Sequence, residues 1–253
     1  MTAIFDSHAH YDSRQFDDDR DELLETLHKN GVAGIINCGC TIKSSEFSLK
    51  LAHKYDFIYA SAGIHPHDAA EVKEKYIDKI EVLCKDEKCV AVGEIGLDYH
   101  YDFSPREIQR EVFEAQLILA SKLDLPVIVH DRESHADVLE LLKKHRPKGV
   151  LHCFSGSVEM AKEIIDLGMY IGLGGAVTFK NAKKPIEVAE YIPIDRLLSE
   201  TDAPYMTPIP FRGKRCDSSH IAYTAAKVAE VRGVSADKIL MQCMENAKKL
   251  FNI

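Results

Sequence analysis

A closed (β/α)8 barrel, an α/β fold of the TIM-barrel type, is what this sequence predicts. Short apolar runs rich in Val and Ile recur along its 253 residues, and longer amphipathic segments separate them. The runs are too apolar and too short for strands with one wet face, so they fit strands buried on both faces. No glycine-rich nucleotide loop follows the first run, which leaves an open doubly wound sheet without its usual mark.

The elements follow in order. Residues 4–5 open the first strand. Residues 18–30 carry Leu23, Leu24 and Leu27 at helical spacing, and Gly31 stops the helix. The acidic stretch 17–19 suits a helix N-terminus, where the dipole favours negative charge. "GIINC" 34–38, "FIYASAG" 57–63 and "CVAVG" 89–93 are the next three strands. Ser104 as N-cap and Pro105 in the first turn begin a helix over 105–123 that buries Val112, Phe113, Leu117 and Leu119. "PVIVH" 126–130 and "GVLHC" 149–153 follow, then a helix over 158–167 ended by Gly168. "MYIGLGG" 169–175 and "RLLSE" 196–200 complete eight strands, and helices over 222–232 and 236–250 close the chain.

Composition sets the frame. With 45% hydrophobic and 28% charged residues the chain is ordinary globular protein, and no linker or low-complexity tract divides it, so one domain over 1–253 is expected. No short fixed-period repeat is visible. No basic segment leads into a long apolar run, and no stretch reaches membrane-span length. The 7 cysteines include no C-x-x-C pair, which fits reduced thiols in a cytoplasmic protein. A net charge of −8 argues against a broad basic face for gripping long nucleic acid.

Chemistry gathers where the runs end. "IFDSHAHY" places Asp6, His8 and His10 at alternate positions, hence on one face of a strand. "GIHPH" with His65 and His67 follows the third run, and Glu94 the fourth. His130 closes the fifth, His152 the sixth, and Asp202 follows the eighth. Each has a plain explanation alone: His130 as a hydrogen-bonded core histidine, Glu94 as a surface acid, Asp202 as a turn cap before Pro204. In a parallel barrel, however, all these ends share one face. His8, His10, His130 and His152 with Glu94 and Asp202 exceed what one closed tetrahedral site needs. They suit two divalent ions sharing a carboxylate, with positions left for water and substrate. His28, His53 and His145 sit in Lys-rich helical stretches and read as solvent-exposed. Cys153 reads as a small buried hydrophobe beside His152.

These motifs resemble the TatD family of metal-dependent hydrolases, TatD-type deoxyribonucleases within the amidohydrolase superfamily. "FDSHAHYD", "GIHPHDA", "AVGEIGLDYH", "LPVIVHDRE", "HCFSGS", "YIGLGGAVTF" and "SETDAPYMTPIPFRGKR" occur in the family's order across nearly the whole chain. The resemblance implies a (β/α)8 barrel with its metal site at the C-terminal ends of the strands. It implies that His8, His10 and Asp202 hold one ion, that His130 and His152 hold a second, and that Glu94 bridges them. It implies catalytic roles for Glu94, Asp202 and His65, with His65 on the substrate side. Arg132, Arg212, Lys214 and Arg215 would face substrate phosphate. The family often continues "RGKR" with Asn-Glu-Pro; here Cys216, Asp217 and Ser218 follow.

The expected activity is divalent-metal phosphodiester hydrolysis, a 3′→5′ exonuclease on a DNA end or short single strand, with one or two Zn, Mn, Ni or Mg ions. No membrane and no obligate protein partner are indicated. Phe103, Tyr99 and Phe211 are the candidates for base stacking, since Trp is absent. An alternative keeps the metals and changes the bond to an amide, a lactone or an aminoacyl ester such as aminoacyl-tRNA. A further one is a binding module with closed, structural coordination.

Overall fold

The structure is a computed structural model that describes residues 2–253. Its eight strands are β1 (Ile4–Ala9), β2 (Val32–Cys38), β3 (Ile58–Ala62), β4 (Cys89–Asp98), β5 (Val127–Arg132), β6 (Gly149–Leu151), β7 (Tyr170–Leu173) and β8 (Leu197–Ser199). They form one sheet in sequence order, and each neighbouring pair is parallel. The helices are α1 (Arg20–Lys29), α2 (Ile42–Lys54), α3 (Tyr76–Cys84), α4 (Arg106–Leu123), α5 (His135–His145), α6 (Val158–Asp166), α7 (Lys183–Tyr191), α8 (Ile221–Arg232) and α9 (Ala236–Phe251). The periodicity marked α1, α4, α6, α8 and α9 but not α2, α3, α5 and α7. Among the described residues no helix is long and apolar enough to cross a membrane.

The sheet closes where β8 meets β1. Asp202 N donates to His8 O at 2.9 Å and His10 N donates to Ala203 O at 2.7 Å. Below these, Ser7 Oγ donates to Ser199 O and Ser199 Oγ to Phe5 O.

Alternation along the strands divides the interior. Phe5, Ile36, Val90, Ile128, Val150, Tyr170 and Leu198 pack together with Ala247 and Phe251 of α9. Their neighbours Ile35, Val127, Val129, Leu151, Ile171 and Leu197 belong to the core shared with the helices. The first set is the barrel's filled lower half, with α9 packed against it. Two residues beyond Ile128, Val150 and Leu198 on the same faces stand His130, His152 and Glu200. These three apolar inward stripes therefore turn polar as they reach the upper end.

Two local readings change. Glu94 lies inside β4 rather than after it, at a register irregularity between Val92 and Ile95, and its N–H donates to Gly39 O at 2.7 Å. The Ser104 hydroxyl does not cap α4. It donates to His67 O and accepts from Ala70 N, while Pro105 stands at the cap position.

Gly96 is where the β4–β5 pairing depends on having no side chain. Its φ is +143°, a backbone region that L side chains rarely adopt, and an added Cβ would fall on the His130 carbonyl oxygen. Gly96→Ala is expected to destabilise the fold by about 2–4 kcal/mol, from backbone strain plus overpacking. Chemical denaturation with an unchanged midpoint would contradict this.

Candidate metal centre

Glu94 is 3% exposed, and its two oxygens face different histidines. Oε2 lies 3.3 Å from His8 Nε2 and 3.3 Å from His10 Nε2. Those two ring nitrogens are 2.9 Å apart, and Asp202 Oδ1 is 3.8 and 3.5 Å from them. Oε1 lies 3.0 Å from His130 Nδ1 and 2.8 Å from His152 Nε2, with those nitrogens 3.3 Å apart. His65 Nε2 is 3.5 Å from the same oxygen. The structure thus brings together all six expected ligands and His65, from six different strands or the loops after them.

The donor set fits divalent ions. Atoms bound to one ion at about 2.0–2.3 Å lie roughly 3–3.7 Å from one another. Both halves of the cluster have that spacing. His8 Nε2 against His10 Nε2 sets two lone-pair positions side by side, an arrangement that a shared cation satisfies. The remaining ring nitrogens are arranged to leave the inward ones free. His10 Nδ1 meets Cys38 O at 2.9 Å and His130 Nε2 meets Asp98 Oδ2 at 3.0 Å. His152 Nδ1 has no hydrogen bond but faces Glu200 Oε1 at 3.6 Å. Partners of this kind set tautomer and ring orientation in metal sites.

Asp98 and Glu200 were not singled out in the sequence. Glu200 is two residues before Asp202 and two after Leu198, so strand alternation alone aligns it with the inward face. Asp98 sits in "GLDY" of β4 and is shared by His130 and His67, each about 3 Å away. Asp6 is not in the ligand cluster. Its carboxylate accepts from His8 N, Thr201 N, Thr201 Oγ1 and Ser218 Oγ. Burial pushes its pKa up to about 7 even against those bonds. Cys40 Sγ lies 3.7 Å from Glu94 Oε2.

Electrostatics follow from the packing. Burial raises Glu94, but the charges of His152, His65 and His8 hold its carboxyl well below the ordinary range. Burial lowers His152, yet Glu94 and Glu200 bring it up to about 10. Burial also lowers His130, and hydrogen bonds to Asp98 and Glu94 raise it above the usual value. His65 goes the other way, to about 4, chiefly because it is buried. Its Nδ1 accepts from His67 N, so Nε2 carries the proton and His65 is a neutral donor.

A cleft of about 730 Å³ opens over the cluster. His10, His65, His130, His152, Glu94 and Asp202 line it, with Asp12, Asp68, Arg132, Tyr101, Phe103, Tyr205 and Met206 around them. Arg132 reaches this wall; Arg212, Lys214 and Arg215 do not line it. The Arg212 guanidinium lies 3.9 Å from the Phe179 ring centroid, and Lys214 is near Phe211. Arg215 forms a two-pronged pair with Asp19 at 2.8 and 2.5 Å and also donates to Gln15 O. Asp19 thus serves more than the helix dipole: it anchors the loop after β8 to the start of α1. The departure at 216–218 is built into the fold as well. Asp217 caps the turn at Ser218–His220, and Ser218 bonds Asp6 and Tyr11. His28 and His53 are exposed as expected, whereas His145 is mostly covered beside Glu114. Cys153 is only half-buried.

The family model for TatD related DNase matches residues 5–252. The chain belongs to the TatD related DNase family. Within it, the chain is 44% identical to the uncharacterized metal-dependent hydrolase YabD of Bacillus subtilis over 99% of both chains. It is 36% identical to the 3′-5′ ssDNA/RNA exonuclease TatD of Citrobacter koseri, again over 99% of both. The crystal structure of YJJV, a TatD homolog from Escherichia coli, superposes with a TM-score of 0.93 at 34% identity, covering 99% of this chain and 98% of the other. As a TatD-family member the chain is a metal-dependent hydrolase, and the paired His/Glu clusters are where ions can bind.

Two outcomes are expected of this TatD-family centre. His152, brought up to about 10, carries an extra proton at neutral pH in the metal-free protein, and His130, shifted in the same direction, holds its extra proton more tightly than a free imidazole does. A divalent ion must displace those protons, so binding releases them and apparent affinity falls as pH is lowered, by about a decade per pH unit for each proton displaced. Calorimetry in buffers of different ionisation heat measures the release; none at neutral pH would contradict the assignment. Glu94→Gln should weaken both ions, each by at least ~10–100-fold, the scale of losing even an outer partner. Elemental analysis showing unchanged stoichiometry would rule out bridging.

Proposed function

We propose that this chain is a divalent-metal phosphodiesterase that removes nucleotides from the 3′ end of single-stranded DNA or RNA. The observation that carries the reading is the division of Glu94: each oxygen faces its own histidine pair, at the floor of an open cleft. Full-length similarity to proteins named as 3′-5′ ssDNA/RNA exonucleases supports the substrate class. The net charge of −8 and a cleft with Arg132 as its one Lys or Arg among the described residues favour an end or single strand over a duplex face.

In this reading His8, His10 and Asp202 would hold one ion and His130 and His152 the other, with Glu94 shared between them. Bound there, two divalent ions would neutralise phosphate charge and bring water ionisation toward neutral pH. The chain's own residues do the rest. Asp202 is the cluster's more exposed carboxylate, 19% open to the cleft against 3% for Glu94. Burial raises its pKa, but the His10 hydrogen bond and the His8, His10 and His152 charges keep it below the ordinary value. It is therefore ionised at neutral pH, and it orients the attacking water and takes its proton at Oδ. His65, neutral with its proton on Nε2, donates to a phosphate oxygen. Arg132 offers a forked donor to the next phosphate at the rim. Asp98 and Glu200 position His130 and His152.

Asp202→Asn should lower kcat by about 10²–10⁴-fold, the scale of losing a general base, with KM little changed and metal content measured in parallel. A rise in KM alone would overturn this role. A panel of single-stranded DNA, single-stranded RNA, duplex DNA and aminoacyl-tRNA, each with and without added metal, tests the activity. Release of 5′-mononucleotides from single strands is expected, and hydrolysis of only the aminoacyl ester would overturn the reading.

A further inference from the structure

The loop after β4 presents two aromatic rings to the cleft that neither the metal centre nor the core uses. Tyr101 is 47% exposed and Phe103 is 66% exposed. Their centroids are 5.2 Å apart with planes 22° from parallel. Both line the cleft that holds the metal-ligand cluster. The Arg132 guanidinium lies 4.8 Å from the Tyr101 ring centroid. His67 meets Tyr101 and Phe103 edge-on, at 5.4 and 4.9 Å. Tyr99 and Phe211 do not take part. Tyr99 donates to Asp137 and is covered by Arg106, and Phe211 packs on His220 and Tyr223.

An isolated exposed ring is ordinary on a protein surface. This pair differs because its backbone is clamped. Asp98 Oδ1 accepts from His100 N at 3.0 Å and Tyr101 N at 2.9 Å. Gln109 donates to Asp98 O and Ser104 O and accepts from Asp98 N. Ser104 is tied to His67 O and Ala70 N. Asp102, at φ +51°, is held by Arg106 at 2.9 and 2.6 Å. With these bonds on either side, Phe103 is held outward rather than left free to fold back. The same Asp98 orients His130, so the rings and the metal centre share one support.

We propose that Tyr101 and Phe103 form a stacking platform for an unpaired nucleobase of the strand whose phosphate sits at the metal centre. The proposal rests on the exonuclease reading above and adds how the strand is held. A flat π-face fits the open face of Phe103, and Arg132 beside Tyr101 suits the adjoining phosphate. Stacking accepts any base, because every base has such a face. A base already paired and stacked in a duplex is not free to occupy it, so the platform selects single strands. It also sets a minimum length, since a substrate too short to reach the rim loses this contact.

The test uses the metal-loaded full chain and 5′-labelled single-stranded oligonucleotides with one abasic residue walked inward from the 3′ end. For the unaltered protein, one abasic position near the end should raise KM roughly 5–100-fold, the scale of one base–aromatic contact. Phe103→Ala should raise KM on the intact strand by a similar factor and should no longer respond to that abasic position. Phe103→Trp should restore both the low KM and the abasic response. An unchanged KM for Phe103→Ala, or an abasic penalty that persists in it, overturns the platform while leaving the exonuclease reading intact. Absence of cleavage of every strand by the unaltered protein overturns the exonuclease reading and removes the platform's occupant with it.

Discussion

The seam between β8 and β1 is the constraint on which the rest depends. A sheet of this topology becomes a barrel only if its last strand returns to its first. Here the upper bonds of that return are Asp202 N to His8 O and His10 N to Ala203 O. The residues that close the barrel are therefore also those on the His8, His10 and Asp202 side of the candidate metal centre. Asp6 reinforces the seam from inside by gathering Thr201 of the β8 end and Ser218 of the following turn. Closure and ligand geometry are one arrangement, so a change that loosens the seam moves ligands as well.

Glu94 sets the second condition. An ionised carboxylate removed from water costs several kcal/mol unless charge or hydrogen bonds replace the lost hydration. Its surroundings are His8, His10, His65, His130 and His152, each within 3.5 Å. Imidazoles can supply that compensation as protonated partners or, when neutral, by binding a cation with the carboxylate. A buried acid ringed by orientable bases can therefore hold either protons or a cation beside it, and the two compete for the same nitrogens. Asp98 and Glu200 extend the same logic outward: Asp98 hydrogen-bonds His130 Nε2 so that Nδ1 faces Glu94, and Glu200 sets negative charge 3.6 Å from His152 Nδ1.

The barrel separates these polar demands from stability. Its lower half is filled by one apolar side chain from nearly every strand and backed by α9. Its upper half carries the polar continuation of the same stripes. The loops above are fixed by specific bonds: Asp19 to Arg215 after β8, and Asp98, Gln109 and Ser104 after β4. The strands supply the floor of the cleft, and the loops supply most of its rim.

Much was legible from the sequence because strand periodicity and parallel topology are strong constraints. Eight apolar runs, six of them followed by His or acid, already imply one polar mouth, and the structure brings His8, His10, Glu94, His130, His152 and Asp202 together there. The family motifs assign His65 because its loop position has no periodicity to reveal it. Only the tertiary structure decided what the charged and aromatic loop residues do. Arg215 and Asp19 are 196 positions apart, and nothing in either neighbourhood announces that they pair. Tyr101 rather than Tyr99 faces the cleft because Asp98 captures the Tyr101 N–H and turns the loop. Strand-end side chains inherit their direction from local alternation, whereas loop side chains take theirs from long-range bonds, and those exist only once the barrel has closed.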